Sequence, residues 1–496
     1  MSAAAVPGER APKMTTWQKI VFGFGSVAFG VKDGGINTFL LVFYSQIVGI
    51  SATLVSLAIS IALFVDAFAD PVIGTVSDHW RSKLGRRHPF MYASAVPVAV
   101  CYFLLWNPPA WSTGALFVYL LVVSIVLRVT VACYEIPSAA LVAEISRDYD
   151  ERTSVLAWRI FLQILIPAAV LMLTFAVFLA NTKAHPNGIL NRDGYFPYAI
   201  LASAVMLVSI LASSFGTRSR IPYLRKIGDD ERSSIKGAAR QTYEALTNKS
   251  FLLVTIAAIF ASVASGVNNS LGTYFGVYFW KFTPPQLSAL VTGGLLATVF
   301  ALPLSPFLSR RYGKKKAGIA LVAASLVIGN ITPIMKLLYL LPPDGSNALL
   351  AIFFITTLLG TTCIIAGVVL LFSMITDVNE DNELRTGKRS EGVLAAANSF
   401  VGKTVSGVGI LIAGILIDLV HFPAHATPQN LDPQIIRNLV LINTPLQFVL
   451  SAITITVLSF YKIDRTAHES NLKQLAGATA AGAEDAGPVI DTPKLG

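Results

Sequence analysis

Twelve apolar runs, each close to the length of a membrane-spanning helix, constrain this chain more than any other feature. A helix needs about 20 apolar residues to cross the hydrocarbon core of a bilayer. The runs are centred near Phe29, Phe64, Val98, Ser124, Ala169, Met206, Val263, Leu296, Leu326, Ile355, Gly409 and Ile453. Because lipid offers no hydrogen-bond partner to irregular backbone, the runs predict an all-α membrane protein with twelve transmembrane helices.

The composition and the placement of charge agree with lipid as the solvent. Charged residues make up only 13% of the 496 residues, whereas soluble domains carry about 25%. The net charge of +10 comes from Lys and Arg in short loops, such as 81–87 and 310–316. The alternate loops, Val48–Ala52, Asn107–Thr113 and Leu341–Asn347, are poor in charge. This pattern fits the positive-inside rule rather than a nucleic-acid partner, and we expect a multi-pass protein of the cell (inner) membrane with both termini cytoplasmic.

The chain divides into two halves of six predicted helices. LGRRHP (Leu84–Pro89) and YGKKKA (Tyr312–Ala317) occupy corresponding positions in the two halves. A parallel repeat of six helices predicts the major facilitator fold, with a site between the halves near the midplane. The expected parts are a cytoplasmic N-terminal tail (1–16), a six-helix bundle (17–217), a cytoplasmic central loop with an amphipathic helix (218–250), a second six-helix bundle (251–462) and a disordered cytoplasmic tail (463–496).

Eight ionisable residues fall within the predicted spans, where an unpaired charge costs roughly 2.5–3.5 kcal/mol at mid-bilayer. They are Lys32, Asp33, Asp66, Asp70, Arg128, Glu135, Arg159 and Lys403. Four acids and four bases predict mutual neutralisation in a central cavity. Lys32 is the weakest candidate, because its side chain can point away from Asp33 toward another helix. Static salt bridges that fix helix packing are the alternative for any one residue, whereas the whole set indicates a transport pathway.

The spacing of these residues suggests a coupling-ion site. Asp66 and Asp70 are four apart and therefore share a helix face. Two carboxylates on one face repel each other unless a cation or a proton lies between them. Arg128 and Glu135 are seven apart and also share a face. In the second half, Asn268 and Asn269 are the candidate site residues.

Several motifs carry a resemblance to a known family. They are DAFADPVIG (Asp66–Gly74) followed by a basic G-R-x-x-P loop, MITDVNEDNELRTGKRSEG (Met374–Gly392), GVKDGGINTFL in helix one, YEIPSAALVAEI in helix four and FVGKTVSG in helix eleven. The pattern resembles the glycoside–pentoside–hexuronide:cation symporter family, typified by melibiose permease, of the major facilitator superfamily. The resemblance covers helices one to eleven and says little about the substrate.

The resemblance implies roles for the matched positions. Asp33, Glu135 and Arg159 correspond to sugar binders, and Asp66, Asp70 and Lys403 correspond to the cation-coupling residues. The loop motifs imply a cytoplasmic gate, formed by Asp78, Gly85, Arg86, Arg87, Asp377, Thr386, Gly387, Arg389 and Glu391. Asp78 can pair with the arginines that follow it and latch one face closed. The alternative is that these arginines only direct topology.

Four departures from melibiose permease bear on the ion and the substrate. Ala69 and Ala132 replace an asparagine and a threonine, so two oxygens of a sodium site are missing, whereas a proton needs only one carboxylate. Ala139 replaces the tryptophan that stacks on the sugar ring. Arg128 is an additional charge, which can replace the coupling cation or bind an anionic sugar such as a hexuronide. Protons are therefore favoured over Na⁺, for which Asp66 and Asp70 remain the candidate ligands.

These observations predict a secondary active transporter, not an enzyme. We expect cation-coupled symport of a glycoside, sugar or sugar acid by alternating access, by a monomer that needs no cofactor beyond the coupling ion. A lysolipid or other amphiphile carrier of the same fold is the closest alternative. A non-transporting receptor-like protein or a membrane enzyme is the alternative from another class. An enzyme would need a nucleophile–base set or a metal-ligand spacing that the sequence does not offer.

Overall fold

The computed structural model of the chain describes residues 12–146, 148–183, 185–224, 249–386 and 391–461, without the side chains at 149, 249–250 and 375–400. Several sequence predictions lie outside these residues. They are the amphipathic helix expected between 217 and 250, the tail from 463, and the gate side chains of Asp377, Thr386, Gly387, Arg389 and Glu391.

The described residues form helices and loops without a strand. The α-helices are α1 (Thr16–Phe24), α2 (Val27–Gly35), α3 (Ala52–His79), α4 (His88–Trp106), α5 (Thr113–Ile145), α6 (Tyr149–Leu173), α7 (Arg192–Gly216), α8 (Lys249–Tyr274), α9 (Pro284–Tyr312), α10 (Lys314–Leu337), α11 (Asn347–Thr386), α12 (Glu391–Leu419) and α13 (Pro433–Ser459). Within the described ranges, the eleven helices α3 to α13 are long and apolar enough to cross a membrane. The predicted fold class is confirmed.

The first predicted span is helical but broken into pieces. After α1 and α2 the chain continues in two π-helical segments, Ile36–Leu40 and Phe43–Val48. The break falls at Gly25, where a Cβ atom would lie 1.6 Å from the hydroxyl oxygen of Tyr134 in α5. Ser26 follows and donates from Oγ to the carbonyl oxygens of Gly23 and Arg159, both at 2.7 Å. The two residues between α1 and α2 thus pack closely against α5 and α6.

Contacts between the first seven helices and the last six include the helix pairs α3 with α12 and α6 with α9, and α8 also packs against the π-helical segment Ile36–Leu40. Small residues allow the approach of α3 to α12, since Ser60 Oγ donates to the carbonyl oxygen of Gly407 at 2.6 Å. Between α6 and α9, Ser288 Oγ donates to the carbonyl oxygen of Met172 at 3.2 Å. We call the end of the molecule that carries loop 48–52 the charge-poor end, and the end that carries loop 80–87 the basic end.

Aromatic rings fill the core of the first seven helices near the charge-poor end. Phe39 and Phe43 pack against Trp106, Tyr195 and Tyr198, with the Trp106 and Tyr195 rings stacked at 5.7 Å. Dispersion and burial of these rings hold the bundle rigid at this end. Asp66 and Asp70, by contrast, lie on the face of α3 that meets Lys403 of the last six helices.

Candidate functional site

Two carboxylates of α3 share one lysine of α12, and this contact joins the two halves of the chain. Lys403 Nζ lies 3.0 Å from Asp66 Oδ2 and 2.5 Å from Asp70 Oδ2. The i and i+4 carboxylates therefore face the same way, as their spacing predicts, and a side chain far away in sequence supplies the cation between them. The structure brings together the three residues that the resemblance assigns to ion coupling.

Arg128 of α5 also belongs to this group. Its Nη1 lies 3.7 Å from Asp66 Oδ2, and both side chains are buried. We call Asp66, Asp70, Arg128 and Lys403 the charge cluster. Asp70 Oδ1 is buried and has no hydrogen-bond partner among the described residues. Arg128 shares a helix with Glu135, but its ion pair is with Asp66 on another helix.

Lys32 and Asp33 form a second ion pair, at 3.0 Å between Nζ and Oδ1. The Lys32 side chain is 3% exposed and lies over the Phe29 ring, at 4.3 Å from its centroid, whereas Asp33 is 37% exposed. The expectation that Lys32 can point away from Asp33 is therefore wrong. Their pairing leaves the Asp33 carboxylate accessible and balances its charge.

Glu135 and Arg159 lie near each other without forming an ion pair within the described part of the chain. Glu135 is half-buried and lies within the influence of the charges of Lys32, Asp33, Lys403 and Arg159. Arg159 donates from Nη1 to Ser138, at 3.0 Å to its carbonyl oxygen and 2.8 Å to its hydroxyl. Arg159 is thus held by the helix that carries Glu135, and Glu135 remains free to accept a hydrogen bond.

The last six helices contribute fewer polar groups. Asn268 and Asn269 of α8 are both exposed, and Asn269 Nδ2 contacts Ser265 Oγ at 3.4 Å on the same helix. Neither side chain contacts the charge cluster. Among the described side chains of these helices, Lys403 is therefore the charged group that contacts the site.

A polar seal closes the charge-poor end between the two halves. Gln46 Oε1 accepts from the backbone N–H of Ala426 at 3.1 Å, and Tyr278 donates to the carbonyl oxygen of Ala426 at 2.9 Å. Asp418, at the end of α12, accepts from the backbone N–H groups of Ala52 at 3.2 Å and Thr53 at 3.0 Å. A carboxylate from one half thus caps the first turn of α3 in the other half, where it also complements the helix dipole.

Replacing Asp418 with alanine should loosen this seal. A lost helix cap costs about 0.5–2 kcal/mol, which shifts an open–closed equilibrium by about 2- to 30-fold. The check is labelling of an Ala426→Cys reporter by a membrane-impermeant thiol reagent, in a background whose three native cysteines are replaced. Labelling should rise in Asp418→Ala. It should not rise in Asp432→Ala, because Asp432 caps its own helix through Gln434 N–H at 2.9 Å; equal labelling in both would contradict the assignment.

Comparison with known proteins decides the family. The family described as MFS/sugar transport protein matches residues 21–465. The isoprimeverose transporter of Lactiplantibacillus pentosus is 25% identical over 91% of this chain and 90% of its own. The sodium-dependent lysophosphatidylcholine symporter 1-A of Danio rerio is 24% identical over 94% and 89%. A crystal structure of the nucleoside transporter NupG (D323A mutant) has a TM-score of 0.60 at 15% identity, covering 89% of this chain and 99% of that one.

The chain belongs to the MFS/sugar transport family. It is a multi-pass membrane protein and a cation-coupled transporter of the major facilitator type, not an enzyme. The solved structure establishes the likeness of fold alone. The resemblance that the five sequence motifs carry is confirmed at the level of the family.

At the basic end of this transporter, two arginines of the loop after α3 meet two acids. Arg87 Nη2 lies 3.1 Å from both Asp78 Oδ1 and Glu144 Oε1, and Arg86 forms an ion pair with Glu144 as well. Gly85 has φ +78°, a backbone conformation that favours glycine in this tight loop. Burial lowers the pKa of the Arg87 guanidinium, and the hydrogen bond that Arg87 donates to Asp78 opposes that shift.

Glu144 pairs with both arginines, and the sequence analysis did not single it out. It lies at the end of the YEIPSAALVAEI motif, as the penultimate residue of α5, and no spacing rule relates it to the loop after α3. The sequence signal that could have identified Glu144 is an acidic residue at the end of an apolar span, since basic loops lie at the same end. The predicted pairing of Asp78 with a following arginine is present. All four residues of this group of ion pairs lie within the first seven helices.

Replacing Glu144 with glutamine should destabilise the transporter more than replacing Asp78 with asparagine. The side chain of Glu144 is 11% exposed and that of Asp78 is 45% exposed, although both lie 3.1 Å from Arg87. Breaking a buried pair costs about 3–5 kcal/mol, whereas an exposed pair contributes about 0–1 kcal/mol. The midpoint of thermal unfolding in detergent should decrease more for Glu144→Gln than for Asp78→Asn. A larger decrease for Asp78→Asn would refute this ranking.

Proposed function

We propose that this transporter couples the movement of a sugar or glycoside to that of protons in the same direction, by alternating access. The observation that carries the proposal is the position of the charge cluster. Lys403 contacts both Asp66 and Asp70 across the boundary between the halves. A change of charge on either carboxylate therefore changes the attraction between α3 and α12, which links ion binding to the relative position of the halves.

Protons suit this cluster better than sodium. Sodium needs several oxygen ligands, and Ala69 and Ala132 supply none from their side chains. A proton needs one carboxylate oxygen, and Asp70 Oδ1 is buried without a partner among the described residues. Protonation there removes the negative charge from a buried carboxylate that has an unpaired oxygen.

Neutral sugars suit the site better than sugar acids. Asp33 is partly exposed and Glu135 has no ion-pair partner among the described residues, so both can accept hydrogen bonds from sugar hydroxyls. Arg128 is engaged with Asp66 and is buried, so it is not available to bind the carboxylate of a uronide. Arg159, held by Ser138, can orient a hydroxyl but does not move freely.

The transport cycle follows from these contacts. A proton neutralises Asp70 and weakens the hold of Lys403 on α3, while Asp66 stays paired with Arg128. The sugar binds Asp33 and Glu135, and the halves then rock about the midplane site. Because coupling is a reciprocal free energy, bound sugar raises the affinity for the proton by the factor by which the proton raises the affinity for sugar.

A lysolipid or other amphiphile carrier is the second candidate. One relative is named a lysophosphatidylcholine symporter, and it matches nearly the whole chain. Ala139 of α5 is exposed and offers no aromatic ring to a sugar. An amphiphile would need a wide apolar cleft that opens to the lipid, which the sugar proposal does not require.

The deciding experiment is uptake into proteoliposomes that contain the purified protein. A panel of labelled neutral glycosides, uronides and lysophosphatidylcholine is offered under a proton gradient and under a sodium gradient. We expect accumulation of a neutral glycoside under the proton gradient. Asp66→Asn should lower it by about 100-fold, since loss of a buried charge partner costs about 3 kcal/mol or more. Asp193→Asn, at an exposed position, is the matched control and should leave accumulation unchanged.

Each outcome separates the candidates. Sodium-driven uptake of a glycoside would contradict the choice of ion and leave the sugar proposal standing. Uptake of lysophosphatidylcholine alone would replace the sugar proposal with the amphiphile carrier.

We further propose that the protein works as a monomer in the inner membrane with both termini cytoplasmic. The accessibility of tags at each terminus would test the topology, and the mass of the purified particle would test the oligomeric state.

A further inference from the structure

Arg128 lies where a mobile cation would balance the carboxylates of the charge cluster. Its Nη1 is 3.7 Å from Asp66 Oδ2, and Lys403 Nζ is 3.0 Å from the same oxygen. The side chains of Arg128 and Asp66 are 6% and 5% exposed. Water therefore screens this pair poorly, and the attraction between the two charges is much stronger than at a protein surface.

The charges of the cluster balance without any added ion. Asp66 and Asp70 on α3 face Arg128 on α5 and Lys403 on α12. Nearby, Lys32 and Arg159 offset the charges of Asp33 and Glu135. An alkali cation would leave an uncompensated positive charge inside the membrane, which is costly. The guanidinium and ammonium groups carry only donors, so neither can serve as a ligand to a metal ion. A proton adds the same charge but needs only one oxygen, such as Asp70 Oδ1.

We propose that Arg128 is the residue that makes this transporter independent of sodium, because it is a tethered cation whose removal creates an alkali-cation site at Asp66. The inference rests on the proposed function, since it treats the charge cluster as the coupling site. Arg128→Gln leaves two carboxylates with one base and adds an amide oxygen. Carboxylate and carbonyl oxygens are the ligands that hard cations prefer. Arg128→Lys keeps the charge and should keep the site closed to sodium.

The test measures sodium binding without any sugar, so it can fail independently of the proposed function. The purified full-length protein is heated in detergent with increasing NaCl, with choline chloride holding the ionic strength constant. The wild type and Arg128→Lys should show no response specific to sodium. Arg128→Gln should show a saturable rise of at least about 2 °C in the midpoint of unfolding. The double variant Arg128→Gln/Asp66→Asn, which again balances the charges, should lose that rise.

The remaining outcomes also decide the matter. A saturable sodium response of the wild type would overturn the proposal, as would a folded Arg128→Gln that ignores sodium. If Arg128→Gln does not fold in choline chloride, the proposal requires that NaCl during purification restores the folded protein. Failure of that rescue, while the charge-balanced double variant folds, would overturn the proposal as well.

Discussion

Lys403→Ile should abolish accumulation of substrate against a gradient and leave exchange of substrate across the membrane largely intact. Lys403 is the cation that contacts both Asp66 and Asp70, and it is the described ion-pair partner of Asp70. Loss of one member of a buried pair costs about 3–5 kcal/mol, or 2 to 4 powers of ten in an equilibrium constant. Asp70 then avoids a buried unpaired charge by holding a proton permanently. A carboxylate that never releases its proton cannot couple a proton gradient to transport.

The measurement compares proton-driven uptake with counterflow in the same proteoliposomes. Uptake should fall by about 100-fold or more, while counterflow should change by less than about 10-fold. Lys336→Ile is the matched control, since Lys336 is similarly buried and pairs with Asp344 at 2.7 Å, away from the cluster. The double variant Lys403→Ile/Asp70→Asn should recover thermal stability but not accumulation. Proton-driven accumulation by Lys403→Ile at the wild-type level would remove the cluster from the mechanism.

The fold could be predicted because the lipid imposes one requirement on every span. Any run of about 20 apolar residues must satisfy its backbone internally, so its helical state follows from length alone. The interruption of the first span did not follow from its own sequence. Gly25 lies at the interruption, and its need for glycine comes from the hydroxyl of Tyr134, more than one hundred residues later, which leaves no room for a Cβ atom. Such contacts between distant residues cannot be read from one span.

The site could be predicted in part for the same reason. Spacing along one helix placed Asp66 and Asp70 on a common face. No spacing could place Lys403 beside them, and that expectation came from the resemblance alone. Neither the residue spacing nor the resemblance predicted the pairing of Arg128 with Asp66 or the ion pairs of Glu144. Each of these contacts depends on how α5 lies against neighbouring segments. Roles of the site residues in binding and coupling stay predictions until transport is measured.

The charge cluster and the polar seal lie along the same pair of helices, and this arrangement explains how one could control the other. Lys403 contacts Asp66 and Asp70 near the middle of α3, and Asp418 contacts the beginning of α3 at the charge-poor end. A rigid helix transmits a shift at one of these points to the other. Weakening of the Lys403 contact by a proton therefore acts on the seal through α12, without a separate relay of side chains.

Gly414→Ala should prevent the charge-poor end from closing, because α12 and α3 touch at this glycine. A Cβ atom at position 414 would lie 2.0 Å from Ser56 Oγ and 2.5 Å from the carbonyl oxygen of Ala52. The hydroxyl can rotate away, but the backbone oxygen cannot, so the helices must separate. Asp418 lies one helical turn further along α12, and the same separation would break its hydrogen bonds to the start of α3.

Overpacking of this kind costs about 1–3 kcal/mol, which lowers the population of the closed state by about 5- to 150-fold. Transport should therefore slow by about 10-fold or more, while substrate still binds from the charge-poor side. Gly402→Ala is the matched control on the same helix, since a Cβ atom there meets nothing within 4 Å. If Gly414→Ala transported at the wild-type rate and Gly402→Ala did the same, closure at this contact would not be a step of the cycle. A slow Gly414→Ala beside a normal Gly402→Ala would show that the small side chain at 414 is required for movement rather than for folding, provided that both variants unfold at similar temperatures.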